Sequence, residues 1–230
     1  MKQSGGTDAQ KRHAGESAAD AVSDGDVVGL GTGSTAAAAI RALGRRVDSG
    51  LDIRGIPTSY QSRQLAREVS IPLTTLEDET PDLAIDGADQ IAGFELIKGG
   101  GAAHAREKLV AAAADRMLVV ADETKLAETL DVAVPVEVLP DAVPVVDSAL
   151  SALGGVPELR SAVRKDGPVV TDNGNLVIDC EFGAIRSPDE LATDLASFPG
   201  VVEHGLFIDM ADEIHVGTDS GVEVLCRDAR

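Results

Sequence analysis

The chain has little aromatic side chain, little lysine and little cysteine. Its 230 residues include one tyrosine, four phenylalanines, no tryptophan, six lysines and two cysteines. Positive charge is scarce as well: 20 lysines and arginines stand against 39 aspartates and glutamates, a formal net charge of −19. So acidic a surface repels the phosphates of nucleic acids and of anionic membranes, and neither is expected as a partner. The same acid-rich, lysine-poor balance points to a protein adapted to high salt, where screening weakens its self-repulsion. No apolar run approaches the roughly 20 residues of a membrane span. Met1 to Gly6 is not followed by the apolar core of a signal peptide, which leaves the cytoplasm as the expected compartment. Cys180 and Cys226 lack metal-ligand spacing and are expected as packed small side chains, not as a disulfide. His13, His104, His204 and His215 show no such spacing either, so no metal site is expected and each reads as a surface or packed histidine.

Three segments stand out against this background. In the first, Lys98-Gly99-Gly100-Gly101 precedes an alanine-rich helical run that carries Glu107. Three successive glycines are costly to order unless bare backbone is needed for a tight turn or a close approach to a ligand. A lysine beside a helix start, where free N–H groups attract anions, makes this half of an anion-binding active site. The other half is the apolar run Asp26 to Leu30 feeding Gly31-Thr32-Gly33-Ser34-Thr35 and a second alanine-rich helix. Turn amides and the hydroxyls of Thr32, Ser34 and Thr35 can hold a phosphate, with the helix dipole favouring its charge. The turn is not a Walker loop, and the third glycine of a dinucleotide fingerprint would fall on Ser34. Taken alone, it reads equally well as an ordinary glycine-rich βα turn. The third segment, Pro81 to Ile91, holds a short apolar strand that ends in two carboxylates, Asp86 and Asp89. Ligands bind outside the carboxyl ends of strands in open α/β sheets, although a lone aspartate there more often caps a turn.

Together these segments resemble the ribose-5-phosphate isomerase type A family. The resemblance rests on Gly31 to Thr35, Thr58-Ser59, Asp86-Gly87-Ala88-Asp89, Lys98 to Ala103 and Arg106-Glu107-Lys108. It continues through Ala121-Asp122 with Lys125, Pro135 to Val138, Thr171 to Asn175 and Pro199 to Phe207, and so spans nearly the whole chain. Gln90 departs from the pattern, since an acidic residue often follows the family's second aspartate. The resemblance implies reversible interconversion of D-ribose 5-phosphate and D-ribulose 5-phosphate through an enediol, without cofactor or metal. A homodimer or homotetramer is the expected assembly. Glu107 is then the base that moves a proton between C1 and C2, Lys98 stabilises the oxyanion, and Asp86 and Asp89 assist ring opening and hold hydroxyls. Phosphate or hydroxyl contacts fall to Lys11, Thr32, Gly33, Ser34, Thr35 and Lys125, and the amides of Gly99, Gly100 and Gly101 approach the substrate.

Some of these assignments carry a physical requirement. A carboxylate at a helix start beside lysines is a weakened base, so burial or like charge from Asp86 and Asp89 must offset this in Glu107. Without the resemblance Glu107 reads as a solvated helix glutamate. Lys98 and Ser34 are expected on exposed turns. Rival readings are an amino-sugar phosphate deaminase or lactonase on a similar scaffold, a sugar-phosphate sensor without turnover, and a nucleotide-dependent dehydrogenase. The sensor would normally bring a helix-turn-helix segment, for which neither length nor charge leaves room.

Strand and helix alternate through about residue 125, which argues a parallel sheet with helices on its faces. Helices are expected over Asp8 to Val22, Thr35 to Leu43, the segment ending at Val69, Ala102 to Ala114 and Val145 to Leu153; strands over Asp26 to Leu30, Leu51 to Ile56, Ile71 to Leu73, Leu83 to Ile85 and Met117 to Val120. Asn173-Gly174 signals a hairpin between Val169-Val170 and Leu176 to Cys180, and Ser187-Pro188-Asp189-Glu190 reads as a capping box. The fold class is α/β: a Rossmann-like large domain over 1–130 and 206–230, with a small α+β, ferredoxin-like domain over 131–205. Leu206 to Ile208, Glu213 to Val216 and Val222 to Leu225 read as short strands, and the family resemblance places them back on the large domain.

Overall fold

The computed structural model describes residues 5–227. Along the chain come α1 (Asp8–Asp20), β1 (Val27–Leu30), α2 (Ser34–Asp48), β2 (Arg54–Pro57), α3 (Tyr60–Glu68) and β3 (Leu83–Gly87). A hairpin of β4 (Gln90–Ala92) and β5 (Glu95–Ile97) precedes α4 (His104–Ala113), β6 (Arg116–Asp122) and a 3-10 turn at Glu123–Lys125. Then follow β7 (Val134–Val138), α5 (Val143–Ala152), β8 (Val156–Leu159), β9 (Leu176–Glu181), α6 (Pro188–Ser197) and β10 (Val201–His204). The short β11 (Leu206–Phe207) leads into β12 (Glu213–Thr218) and β13 (Gly221–Cys226). Two compact units divide the chain, one taking residues 89–105 and 127–208 and the other the rest of the described residues.

The second unit holds a six-stranded sheet in the order β13-β12-β6-β3-β1-β2, parallel throughout except for β13. From β1 the chain moves to β2 on one side and to β3 on the other, so the strand order reverses between β1 and β3. Such a switch point opens a crevice at the carboxyl ends of the strands. Val28, Leu30, Leu83, Ile85, Leu118 and Val120 face one core with α1, α2 and α3, while Val27 and Ala84 face Val110 of α4. Burial of both faces explains why these strands read as unbroken apolar runs.

The other unit has the order β7-α5-β8-β9-α6-β10 along the chain and an antiparallel sheet ordered β10-β7-β9-β8, the ferredoxin-like arrangement. Val134, Val136, Val138, Ile178, Val146, Leu150 and Leu195 form its core, which Ile97 of β5 and Leu206 of β11 join. Cys180 lies in that core, where burial, with Asp147 and Glu181 adding to it, pushes its thiol up to about 12. Cys226 is exposed, so only one of the two cysteines is a packed side chain.

Several boundaries differ from the sequence reading for identifiable reasons. Leu206 and Phe207 pair with β5 in a three-stranded sheet, so only β12 and β13 rejoin the parallel sheet. The helix expected to end at Leu43 runs through Gly44, packed against Val69, to Asp48. Ile71 to Leu73 shrinks to one bridge between Leu73 and Gly55, because Pro72 has no N–H to give a ladder. Val169-Val170 likewise contributes only the bridge from Val170 to Leu176. The turn between them wraps a buried carboxylate: Glu137 Oε1 accepts from Thr171 Oγ1 at 2.8 Å, Asn173 Nδ2 at 2.9 Å and Asn175 Nδ2 at 2.8 Å. The Ser187 capping box does not form, although Pro188 does start α6. Ser187 has ψ 74°, away from the extended values of 162° and 168° that aim the hydroxyls of Thr7 and Ser59 into true capping boxes on α1 and α3. The strands β4, β5, β8 and β10 are too short or too exposed to show a period-2 pattern.

Candidate active site

In the unit with the parallel sheet, the candidates collect at the carboxyl ends of its strands. Gly31 leaves β1 with its N–H on the Ile85 carbonyl at 2.9 Å, and a Cβ there would sit 2.2 Å from Asp86 Oδ1. That approach lets the Thr32 amide donate to Asp86 Oδ1 at 3.0 Å, an oxygen that also accepts from Gly87 N–H at 2.7 Å. Asp86 is 3% exposed. The Thr32 hydroxyl bonds Thr58 Oγ1 at 3.0 Å and Ser59 Oγ at 2.7 Å. Thr32 therefore braces the turn, and the start of α2 faces outward from it. Gly33, at φ 107°, is the N-cap and offers no side chain, so α2 begins without the hydroxyl cap that closes α1 and α3. An uncapped first turn leaves helix N–H groups for an anion. Ser34 is exposed there, as expected, and Thr35 is buried.

The helix α4 runs back from the same end of the sheet, since the strands before and after it, β3 and β6, are parallel. Val110 packs on Ala84. Glu107 lies one helical turn before Val110, and Asp86 one strand period beyond Ala84, so both belong to this face and this end of the sheet. Glu107 is 4% exposed and so is not a solvated helix glutamate. Lys125, in the 3-10 turn just after β6, is buried, and half-buried Lys11 lies in the start of α1, whose Gln10 carbonyl crowds Gly217 near the end of β12.

In the ferredoxin-like unit, Asp89 Oδ2 accepts the Gly100 N–H at 2.7 Å, and a Cβ on Gly100 would lie 2.7 Å from Asp89 Oδ1. Lys98 is not on an exposed turn: it is 2% exposed, its Nζ 5.2 Å from the ring centre of Phe207, its N–H on the Gly205 carbonyl at 2.8 Å. The ring face and the desolvation focus its charge. Gly101 is exposed beside it. Gln90 donates to Asp131 Oδ1 at 2.6 Å and accepts from the Asp131 amide at 2.8 Å, a double role that a carboxylate could not fill.

Each histidine has a polar partner, and the His104 ring also packs against Gly99 of the glycine turn. His104 Nε2 meets the Glu203 carbonyl at 3.3 Å, His13 Nδ1 the Thr218 carbonyl at 2.9 Å, and His204 Nδ1 accepts from Leu206 N–H at 3.3 Å. His215 Nδ1 lies 2.8 Å from Ser17 Oγ. Arg160 was not signalled by the sequence, yet its Nη1 donates to the Gly99 carbonyl at 2.9 Å. Nothing local marks it, because its partners are distant in the chain. Among the described residues no group of three or more histidines, cysteines, aspartates or glutamates is disposed to hold a metal.

A parallel sheet with an uncapped helix start and a buried carboxylate at its switch point defines an open-sheet α/β protein whose candidate site lies at the carboxyl ends of its strands. The chain belongs to the ribose 5-phosphate isomerase A (phosphoriboisomerase A) family, whose model matches residues 54–221. It is 76% identical over 224 residues to ribose-5-phosphate isomerase A of the haloarchaeon Natronomonas pharaonis, covering 97% of this chain and 100% of that one. The structure of ribose 5-phosphate isomerase A from Methanocaldococcus jannaschii superposes with a TM-score of 0.92 at 45% identity, covering 95% of this chain and 98% of that one. A D-ribose-5-phosphate isomerase in complex with phospho-erythronic acid superposes at 0.93 and 43% identity, covering 97% and 100%.

Proposed function

We propose that the chain interconverts D-ribose 5-phosphate and D-ribulose 5-phosphate through an enediol, with Glu107 as the base. The observation that carries this reading is a buried glutamate at the start of α4, on the sheet end where Asp86 and the uncapped α2 also lie. In the open-chain aldose Glu107 takes the C2 proton, the C1–C2 double bond forms and negative charge develops on O1. Protonation of O1 gives the enediol. Loss of the O2 proton then forms the C2 carbonyl as Glu107 returns its proton to C1.

Lys98 stabilises the developing oxyanion, with the amides of Gly99 and Gly101 offered to substrate oxygens, while the Gly100 amide, expected to join them, is held by Asp89 Oδ2 instead. Asp86 and Asp89 hold hydroxyls and assist ring opening. The phosphate takes the α2 amides, the hydroxyls of Ser34 and Thr35 and the charges of Lys11 and Lys125, while Thr32 holds the turn in place and Gly33 leaves the helix start uncovered. Phospho-erythronic acid, the ligand of one relative, joins a phosphate ester to a carboxylate and so matches a site that takes two anionic groups. The substrate is a small molecule, and the reaction as written is redox-neutral and calls on no cofactor. A homodimer or homotetramer is the assembly this reading carries, which sedimentation at molar KCl measures.

Formation of ribulose 5-phosphate from ribose 5-phosphate in EDTA tests the reading. Steady turnover is expected; its absence, or release of another product, would refute it.

A further inference from the structure

Arg160 follows β8 and grips Asp179 of β9 with two nitrogens: Nε donates to Oδ2 at 2.8 Å and Nη2 to Oδ1. The pair is largely buried, with side chains 11% and 17% exposed. A guanidinium held in this planar fork has its remaining nitrogen aimed in one direction. That nitrogen, Nη1, donates to the Gly99 carbonyl at 2.9 Å and reaches the Gly100 carbonyl at 3.4 Å. We infer that Arg160 is a positioning residue for the isomerase reaction, setting the Gly99–Gly100 peptide plane and through it the carboxylate of Asp89.

The relay follows from peptide geometry. A trans peptide is planar, so its carbonyl and its N–H point in opposite directions. Turning the Gly99 carbonyl to Arg160 therefore turns the Gly100 N–H away from it, and there it donates to Asp89 Oδ2 at 2.7 Å. The Gly99 carbonyl also accepts the Ala102 N–H at 2.9 Å, which closes the turn on itself. By the same geometry, the weaker contact on the Gly100 carbonyl orients the next amide, that of exposed Gly101, away from Arg160. A lysine at 160 would keep the charge but could not hold both Asp179 oxygens and a carbonyl together. The inference rests on the isomerase reading and extends it to a residue 61 positions beyond Gly99.

The test is a double-mutant cycle. Arg160→Lys, Asp179→Asn and Asp89→Asn, alone and combined, are assayed for kcat, KM and melting temperature on ribose 5-phosphate. Arg160→Lys should fold and lose about 10- to 100-fold in kcat, as displaced catalytic groups do, with a smaller change in KM. Added to Asp89→Asn it should cost no more than about twofold further, because the relay ends at the carboxylate already removed. Asp179→Asn, which keeps the arginine but loosens its aim, should behave alike. Wild-type kcat in Arg160→Lys, losses that multiply in full with Asp89→Asn, or failure of both Arg160→Lys and Asp179→Asn to fold would overturn the inference. A wild-type chain without isomerase activity would instead refute the isomerase reading, and the inference with it.

Discussion

The main-chain amide of Thr32 donates to Asp86 Oδ1 at 3.0 Å, tying the turn after β1 to the aspartate near the end of β3. Asp86→Ala removes the acceptor of this amide and of Gly87 N–H together. A donor left unsatisfied in a buried place costs about 1–3 kcal/mol, so the variant should melt lower, raise KM and lower kcat. Asp86→Asn keeps an acceptor and the shape, and should lose turnover while melting near the wild type. Thermal melts and steady-state kinetics on the two variants check this, and an unchanged KM in Asp86→Ala would contradict it.

Ser34 and Lys98 call for different substitutions because one is exposed and the other is buried beneath Phe207. Ser34→Ala should leave the melting temperature alone and raise KM by about tenfold, the worth of one hydrogen bond to a charged group. Lys98→Met keeps the volume, discards the charge and should lower kcat with little effect on KM. Wild-type kinetics in both would leave the two turns structural.

The site was legible where its residues are neighbours in sequence and dark where they are not. Asp86 closes a strand, Thr32 to Thr35 join a strand to a helix, and Gly99 to Gly101 precede another, so local pattern marks them as candidates, although each alone reads as well as an ordinary turn or cap and only their combination makes a site. The burial of Lys98 comes from Phe207, and the brace on its turn from Arg160, contacts that only the folded chain creates. The same holds for the fold. The continuous apolar strands of the parallel sheet declare themselves, whereas β8, with Pro157 and an exposed face, has no pattern to read. Ser187 has the right composition for a cap and the wrong backbone angle.

Burial holds the His215 imidazole below its ordinary pKa of 6.5, against the raising effect of Glu213 3.4 Å away. The unfolded chain therefore takes up this proton first as pH falls, and His215 favours the fold fully above about pH 6.5 and progressively less below it. His215→Gln should flatten the fall in melting temperature between pH 7 and pH 5. Parallel curves for variant and wild type would contradict this.

A formal charge of −19 on a small surface repels itself unless salt screens it. Melting temperature and activity should both fall as KCl is lowered from molar to millimolar, and a melting temperature that stayed flat or rose would count against adaptation to salt.

The central claim is that buried Glu107 moves the proton, and Glu107→Gln tests it most directly, keeping the shape while removing the basic oxygen. Exchange of the C2 proton of ribose 5-phosphate in D2O, read beside isomerisation and calorimetric affinity, reports that step alone. The variant should bind substrate near the wild-type affinity and lose about two to four orders of magnitude in both exchange and isomerisation, the usual effect of removing a general base. Exchange that persisted near the wild-type rate would show that Glu107 is not the base and would pass the role to Asp86 or Asp89.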